Sequence, residues 1–421
     1  MSVLPVRTFE RQLQDAPRAP GAQHAVRDAG AAGPDRATEI TLDLVTTRAG
    51  FDALETSWND LFARAGRDIH MFQTFNWLWH WANHFLPEPG AAGPQLAIVT
   101  GRVDGRLVMV WPLVLERIGM LKRLSWMGEP VSQYGDVLID DVPDARSLLR
   151  SACDLVTRRT GASVMQLRKV REDSAIAPLL AEMNAMVTAE LAAPYLDLVS
   201  APTFAVYEGR YSNNARRKRT RLRRKLAERG ALATVCYTDG AEAEGLAAET
   251  FALKRRWLHE RGLVSPALSD PRTAAFFADA TRAASHPAGC HVMGLVSAGR
   301  PVALEIGVRC KGRTATHVIA YDLEFEKSSV GALLMEDSIR GAFADGMAVF
   351  DLLAPGDRYK LEWADAAVAV RDWALPVSFA GRLYAVVYIG FAKTALKRGV
   401  EALPIGLRRG LSRMLAGQSG D

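Results

Sequence analysis

The chain has 421 residues, enough for about two to three domains, and its 49% apolar and 24% charged residues are typical of a globular protein with a large core. Its four cysteines are scattered without a Cys-x-x-Cys pair, which excludes a zinc knuckle or a disulfide framework and favours a reducing, cytoplasmic setting. The net charge of +5 is carried by one segment, so it does not indicate a generally cationic surface.

The first part of the chain is predicted to form a leader and an α/β unit. Residues 1–38 have no hydrophobic period and no apolar run of a secretory signal, so we expect a disordered leader. Residues 39–200 alternate strand and helix patterns. The predicted strands are 40–44, 95–99, 107–114, 121–127 and 164–167, and the predicted helices are 51–65, 72–85 and 144–156. His80 and His84 have a metal-binding spacing, but no third ligand is near, and we predict packing and no metal.

A basic helix, residues 201–230, links this unit to the next. Residues 210–229 contain ten basic residues and one acid, so the window carries 10 − 1 = +9 and the rest of the chain 5 − 9 = −4. Such a segment repels itself unless an anion neutralises it. The alternatives are CoA phosphates, an anionic glycan, anionic lipid or tRNA. The predicted anion-binding and substrate-binding residues are Arg216, Arg217, Arg221 and Arg224, with Trp257 on the next helix.

Residues 231–375 are predicted to form a second α/β unit. The predicted strands are 233–237, 290–296, 301–308, 314–321 and 348–353, and the predicted helices are 241–261, 271–284 and 331–344. Three of these strands are joined by short turns as antiparallel hairpins. The fold class is therefore α/β (α+β), with two mixed-sheet units in tandem and a basic helical tail over residues 376–421. The apolar run at 383–396 is too short to span a membrane.

One carboxylate interrupts an otherwise apolar strand of the second unit. If Glu305 points inward, it is a buried acid and a candidate proton acceptor, whereas an outward side chain would be ordinary alternation. His317 on the neighbouring strand is a candidate partner, although a strand histidine is more often a core residue.

A turn of small residues joins the strand ending near Tyr321 to the long helix. Such a turn leaves backbone N–H groups free at a helix N-terminus, where they bind phosphates. Ser329 could instead cap the helix. The predicted donor-binding residues are Lys327, Ser328, Ser329, Val330, Gly331 and Ala332.

Further candidate catalytic groups follow this helix. Asp351 ends an apolar strand and could act as a general base if burial raises its pKa, or it could be a structural carboxylate that holds the 356–360 loop through Arg358 or Lys360. Tyr359 and Lys360 could donate to a leaving thiolate or steady an anionic substrate. The alternative for this pair is an ordinary surface loop.

These residues and elements, in this order, resemble the acyltransferase module of the CelD/BcsL group. That group belongs to the GNAT superfamily and is related to the FemAB transferases. The resemblance rests on Tyr321-Asp322, Ser329 with Gly331, Asp351 and Tyr359-Lys360, and it is strongest over 207–360. Val330 stands where members of the group usually have proline. The resemblance implies two GNAT-like units in tandem, adds Tyr321 to the catalytic candidates, and implies acetyl-CoA or another acyl-CoA as the donor.

By the same resemblance, the acceptor is an amine or hydroxyl, expected on a sugar of bacterial exopolysaccharide or cellulose biosynthesis. The protein would be cytoplasmic, with peripheral contact to an anionic inner membrane or to a glycan synthase. Two other hypotheses stay open from the sequence. One is a FemAB-like transferase that uses aminoacyl-tRNA, and the other is a non-catalytic scaffold of a glycan synthesis complex.

Overall fold

A computed structural model describes residues 40–88, 91–263 and 265–392 of the chain. The predicted leader lies outside the described residues, as does the predicted tail beyond residue 392. The strands are β1 (Ile40–Val45), β2 (Gln95–Leu96), β3 (Ile98–Val103), β4 (Arg106–Trp111), β5 (Leu113–Ile118), β6 (Leu121–Trp126), β7 (Leu138–Ile139), β8 (Val164–Arg171), β9 (Met186–Asp197), β10 (Leu232–Tyr237), β11 (Ala288–Ser297), β12 (Arg300–Cys310), β13 (Arg313–Tyr321), β14 (Val349–Asp351) and β15 (Ala366–Pro376).

The helices fall between these strands and match the predicted ones closely. They are α1 (Arg48–Asp52), α2 (Glu55–Ala65), α3 (Phe75–Phe85), α4 (Ala145–Thr160), α5 (Ala177–Glu182), α6 (Phe204–Tyr207), α7 (Asn213–Ala227), α8 (Gly240–Glu260), α9 (Pro266–Ser269), α10 (Pro271–Arg282), α11 (Val330–Ala344), α12 (Arg358–Leu361) and α13 (Phe379–Leu383). A π-helical segment, Tyr384–Ala392, continues α13. None of the described helices is long and apolar enough to cross a bilayer.

The strands form one antiparallel sheet and one mixed sheet, and the fold confirms the predicted α/β class. The smaller sheet has the order β1-β3-β4-β7, and the larger has the order β10-β11-β12-β13-β14-β9-β15-β8-β6-β5-β2. Both halves of the chain therefore contribute to one eleven-stranded sheet. Aromatic side chains of α2, of α3 and of the 3-10 segment Asp68–Gln73 between them belong to the same buried cluster as Phe276 and Phe277 of α10, among them Trp58, Phe72 and Trp81, so the core is shared between the halves.

The two halves exchange strands at the centre of the large sheet. β9 comes from the first half but pairs antiparallel with β14, whose residues follow it by about 150 positions in the chain. β15 comes from the second half and pairs antiparallel with both β8 and β9. The exchange makes the two units one body. Neither β9 nor β15 is among the strands predicted from local patterns.

Each half contains a strand, a helix and a parallel strand whose pairing is short. β13 and β14 are parallel over only three pairs, from Arg313↔Val349 to Ala315↔Asp351, and α11 connects them. In the first half β6 and β8 are parallel over only two pairs, and α4 lies between them in the chain. Because the pairing is short, the strands separate beyond it. In the second half this separation opens a cavity, described below.

Candidate functional site

The donor turn predicted at residues 327–332 has a backbone suited to anions. A short 3-10 segment, Leu323–Ser328, leads into α11, and Ser329 between them is left-handed with φ of 51° and ψ of 38°. A right-handed turn followed by a left-handed residue aims successive N–H groups into one concavity. The Ser329 side chain makes no hydrogen bond to the backbone amides at the N-terminus of α11, so it does not cap the helix. The Ala332 and Leu333 amides pair with the Ser329 carbonyl, so the free amides of the first turn are those of Val330 and Gly331.

The carboxylates beside this turn are neutralised by arginines. Asp322 and Glu324 both pair with Arg300, and Glu326 pairs with Arg261. An anion can therefore approach the turn without meeting unpaired negative charge from these groups.

Gly331 faces Tyr321 across the turn with room to spare. A Cβ at Gly331 would lie 3.6 Å from Cδ1 of Tyr321, an ordinary contact, so packing does not demand glycine there. The Tyr321 hydroxyl accepts a hydrogen bond from Nε1 of Trp257 at 3.0 Å. Two cationic groups lie over the Trp257 ring, with Lys254 Nζ at 4.9 Å and the Arg261 guanidinium at 4.7 Å from the ring centroid. Trp257 therefore belongs to the surroundings of the donor turn and not to the basic helix.

A cavity of about 100 Å³ lies where β13 separates from β14. Residues 316–319 of β13 form one wall, and Met335 of α11 and Leu352 after β14 lie opposite. Tyr359 and Lys360 also line it, so the structure brings two predicted catalytic residues into this cavity. From Tyr321 to Thr316, β13 spans about 17 Å at the usual rise per residue. An extended thioester arm held at the donor turn can follow this strand to the cavity.

Glu305 is buried on β12 behind the cavity wall, so its inward orientation is confirmed. Its Oε1 accepts a hydrogen bond from Thr316 at 2.9 Å, and its Oε2 accepts one from Ser338 of α11 at 2.7 Å. Burial raises the pKa of Glu305 above its usual value. Because Thr316 lines the cavity, Glu305 is one hydroxyl away from it. The predicted partner His317 is wrong, since Glu305 bonds Thr316 and Ser338, whereas Nε2 of His317 lies beside the Val131 carbonyl.

Two lysines bring weakly basic amines to the cavity. Lys360 Nζ donates to the Leu353 carbonyl at 3.0 Å, and Lys254 Nζ donates to the Ile319 carbonyl at 3.0 Å. Burial lowers the pKa of both ammonium groups. Partial burial raises the pKa of Tyr359 to about 12, so its phenol stays protonated at neutral pH. Nothing in the sequence pattern had singled out Lys254 as part of this cavity.

The first unit covers the same cavity through the segment after β6. Nε2 of His317 lies 2.5 Å from the Val131 carbonyl, and His317 also packs among aromatic rings. Nearby, Lys169 has a left-handed backbone with φ of 56°, and its Nζ donates to Gln133 Oε1 at 2.5 Å. Burial lowers the pKa of Lys169 to about 8. Lys169 and Gln133 thus form a polar pair of the first unit near His317, and the sequence had indicated neither residue.

Asp351 lies away from the cavity lining, at the centre of a buried polar cluster. Its Oδ1 accepts hydrogen bonds from the Tyr134 hydroxyl at 2.9 Å and the Leu353 amide at 2.8 Å. Its Oδ2 accepts one from Arg313 Nη1 at 2.9 Å, and Arg171 lies 3.6 Å away. These contacts favour the structural alternative, but its predicted partners Arg358 and Lys360 are wrong, because the bound arginines come from β13 and β8. The general-base role stays a prediction.

The basic helix α7 is held on α11 by ion pairs. Arg219 Nε donates to Glu336 at 2.6 Å, and Arg223 donates to Asp337 at 2.6 Å. Leu226 is buried against α11 in the same interface. The remaining face of α7 borders an open groove of about 660 Å³. Its lining includes all four arginines predicted to bind anions: Arg216, Arg217, Arg221 and Arg224.

The predicted histidine pair on α3 packs against a carboxylate of the second half. His80 Nδ1 and His84 Nε2 lie 2.9 Å and 3.2 Å from Asp279 Oδ2 on α10. Within the described residues, no group of three or more histidine, cysteine or acidic side chains could hold a metal ion.

Comparison with known proteins identifies part of the chain. Residues 213–361 match the family model of an acetyltransferase (GNAT) domain. No curated protein matches the sequence. The matched range contains α7, the donor turn and the cavity wall, which are therefore similar to part of a GNAT domain, whereas Gln133 and Lys169 lie outside that range. The first half repeats the order of strand, helix and parallel strand, in agreement with the predicted tandem GNAT-like fold.

Solved structures resemble the chain in fold over most of its length. A conserved protein of unknown function from Bacteroides thetaiotaomicron VPI-5482 has a TM-score of 0.50 at 12% identity, over 80% of this chain and 100% of that one. L-PGS from Bacillus licheniformis has a TM-score of 0.49 at 11% identity, over 82% and 96%. A tandem GNAT protein from the clavulanic acid biosynthesis pathway has a TM-score of 0.44 at 15% identity, over 80% and 98%.

Proposed function

We propose that the protein transfers an acyl group from an acyl-CoA to an amine or hydroxyl. The observation that carries this proposal is the separation of β13 from β14, which opens a cavity lined by Thr316, Tyr359 and Lys360 on the strand that leads to the predicted donor turn. The GNAT match over residues 213–361 supports the same reaction class. The free amides of Val330 and Gly331 would bind the diphosphate of the donor, and the helix dipole of α11 would add to that attraction.

The cavity residues suit direct transfer. The acceptor nitrogen or oxygen attacks the thioester carbon and loses a proton, which passes through the Thr316 hydroxyl to Glu305. Unpaired amides on the open edge of β13 would stabilise the oxyanion that forms on the former carbonyl oxygen. The carbon–sulfur bond then breaks, and the leaving thiolate takes a proton from Lys360 or Tyr359, both of which line the cavity. The raised pKa of Glu305 suits a proton acceptor near neutral pH.

The acceptor would enter from the cleft between the two units. Lys169 and Gln133 are held together there by a hydrogen bond of 2.5 Å and offer polar groups to a hydroxyl-rich molecule. A sugar acceptor in exopolysaccharide or cellulose biosynthesis, and a place in the CelD/BcsL group, remain proposals supported by the sequence resemblance. A cytoplasmic location with peripheral membrane contact belongs to the same proposal.

Binding of the donor tests the proposal first. Acetyl-CoA, a longer acyl-CoA and free CoA are added to the protein, and the melting temperature is measured, since a ligand specific for the folded state raises it. We expect all three to raise it. The substitution Gly331→Ala should fold normally, because its Cβ has ordinary contact distances, yet it should weaken donor binding by about tenfold by adding a methyl group where the phosphates approach.

Gly245→Ala on α8 is the matched control, because nothing lies within 4 Å of the added Cβ. This variant should bind acyl-CoA as the wild type does. If no CoA species shifts the melting temperature of the wild type, acyl transfer from CoA is refuted. The hypothesis of a non-catalytic scaffold then takes its place.

A further inference from the structure

The open groove beside α7 is distinct from the donor turn. Arg223 of α7 reaches the Leu333 carbonyl near the start of α11, whereas Arg216 of α7 and Arg340 of α11 line the groove together. The two helices therefore run antiparallel, and the groove lies near the end of α11. Arg340 is ten residues beyond Val330, about 15 Å along the helix. A diphosphate bound at the donor turn therefore does not reach the Arg340 end of the groove, whereas Arg223 and Glu336 line the end closer to the turn.

The groove is lined by arginine and not by lysine. Its cationic lining consists of Arg216, Arg217, Arg221, Arg223, Arg224 and Arg340. The two lysines of α7, Lys218 and Lys225, are exposed but do not line the groove. Guanidinium groups bind phosphate through two parallel hydrogen bonds, which a lysine ammonium cannot do. The choice of side chain therefore indicates oxyanion recognition more than general solvation of a charged face.

Of these six arginines, only Arg223 pairs with an acidic residue of the groove, among the described residues. Glu336 is already engaged by Arg219 at 2.6 Å and by Arg223 at 3.3 Å, on the side of α7 that packs against α11. Glu208 is the other carboxylate of the lining. The Nε atom of Arg216 is buried and has no hydrogen-bond partner among the described residues. A buried donor without an acceptor is costly, and an oxyanion in the groove would supply one.

We propose that this groove is a second phosphate-binding site, which takes a ligand with several phosphate groups, either free in solution or as the headgroups of an anionic membrane. Its volume of about 660 Å³ suits a ligand of that size. The proposal concerns binding alone and does not require that the protein transfers an acyl group.

The test compares two double variants with the same change in net charge. Arg217→Glu with Arg221→Glu alters the groove, and Lys218→Glu with Lys225→Glu alters the same helix outside it. Tripolyphosphate binding is measured by calorimetry. Sedimentation with phosphatidylcholine vesicles, with and without phosphatidylglycerol, measures membrane binding. We expect the groove variant to lose at least about tenfold in affinity for one of these probes, and the lysine variant to stay close to the wild type.

Each outcome decides the proposal. Binding of tripolyphosphate indicates a free ligand, and binding only to phosphatidylglycerol vesicles indicates lipid headgroups. Equal losses in both variants would mean unspecific attraction and would overturn the site, as would a wild type that binds neither probe. Acetyl-CoA should bind the groove variant normally and should not compete with tripolyphosphate. Competition would mean that the groove holds phosphates of the donor itself, which would overturn a separate site.

Discussion

Replacing Asp351 by asparagine separates a structural role from a catalytic one. The carboxylate is fully buried and accepts hydrogen bonds from Tyr134, Leu353 and Arg313 within 2.9 Å. Arg313 lies on β13 and Arg171 on β8, so this one side chain joins both units. Asparagine has almost the same size and keeps an oxygen for Tyr134 and Leu353, but it turns an amide N–H₂ toward the guanidinium of Arg313.

The structure allows the size of this effect to be bounded. Removing one partner of a buried ion pair usually costs about 3–5 kcal/mol, because a buried charge is left uncompensated. Here Arg313 keeps Asp68 at 2.8 Å and Arg171 keeps Asp173 at 2.8 Å, so neither guanidinium becomes wholly unpaired. We therefore expect Asp351→Asn to lower the free energy of unfolding by about 3 kcal/mol, the lower end of that range.

Urea unfolding measures this difference, with Asp52→Asn as the control. Asp52 pairs with Arg48 at 2.8 Å on the surface, where both side chains are more than a third exposed, so its loss should cost less than about 1 kcal/mol. Acetyl-CoA should still bind Asp351→Asn under native conditions. If Asp351→Asn unfolds like the wild type and transfer nevertheless slows sharply, the structural assignment is wrong and the general-base hypothesis is correct.

Two further predictions concern proton transfer and pH. Glu305→Gln keeps an oxygen for Thr316 but cannot accept the proton, so it should lower the transfer rate by about 100- to 10,000-fold, measured by thiol release. Calorimetry should show unchanged acetyl-CoA binding. An unchanged rate would exclude Glu305 as the proton acceptor. Burial lowers the pKa of His317 to about 4, whereas in the unfolded chain it is near 6.5. Because the unfolded chain therefore takes up a proton first, the stability of the fold decreases as the pH falls from 6.5 to 4. In His317→Gln, urea unfolding at both pH values should show this loss reduced by about 3 kcal/mol, and an undiminished loss would contradict the assignment.

Short-range patterns in the sequence were enough to locate the donor turn and the basic helix. The small residues before α11 and the density of arginine in α7 are local features, and both form the predicted elements. The pattern around Glu305 left its orientation open between inward and outward, and the fold decided that it is buried. Lys254 of α8 was missed because its Nζ reaches a carbonyl 65 residues away, which no local pattern encodes.

The tertiary structure decided how these elements are joined. Burial of Asp351 depends on arginines of two other strands, and the anchoring of α7 depends on Glu336 and Asp337, more than a hundred residues later in the chain. The exchange of β9 and β15 likewise follows from pairing between distant strands. Hydrophobic period and turn residues act over a few positions and therefore fix helices and strands, whereas ion pairs and sheet order are settled only when distant segments meet in the fold.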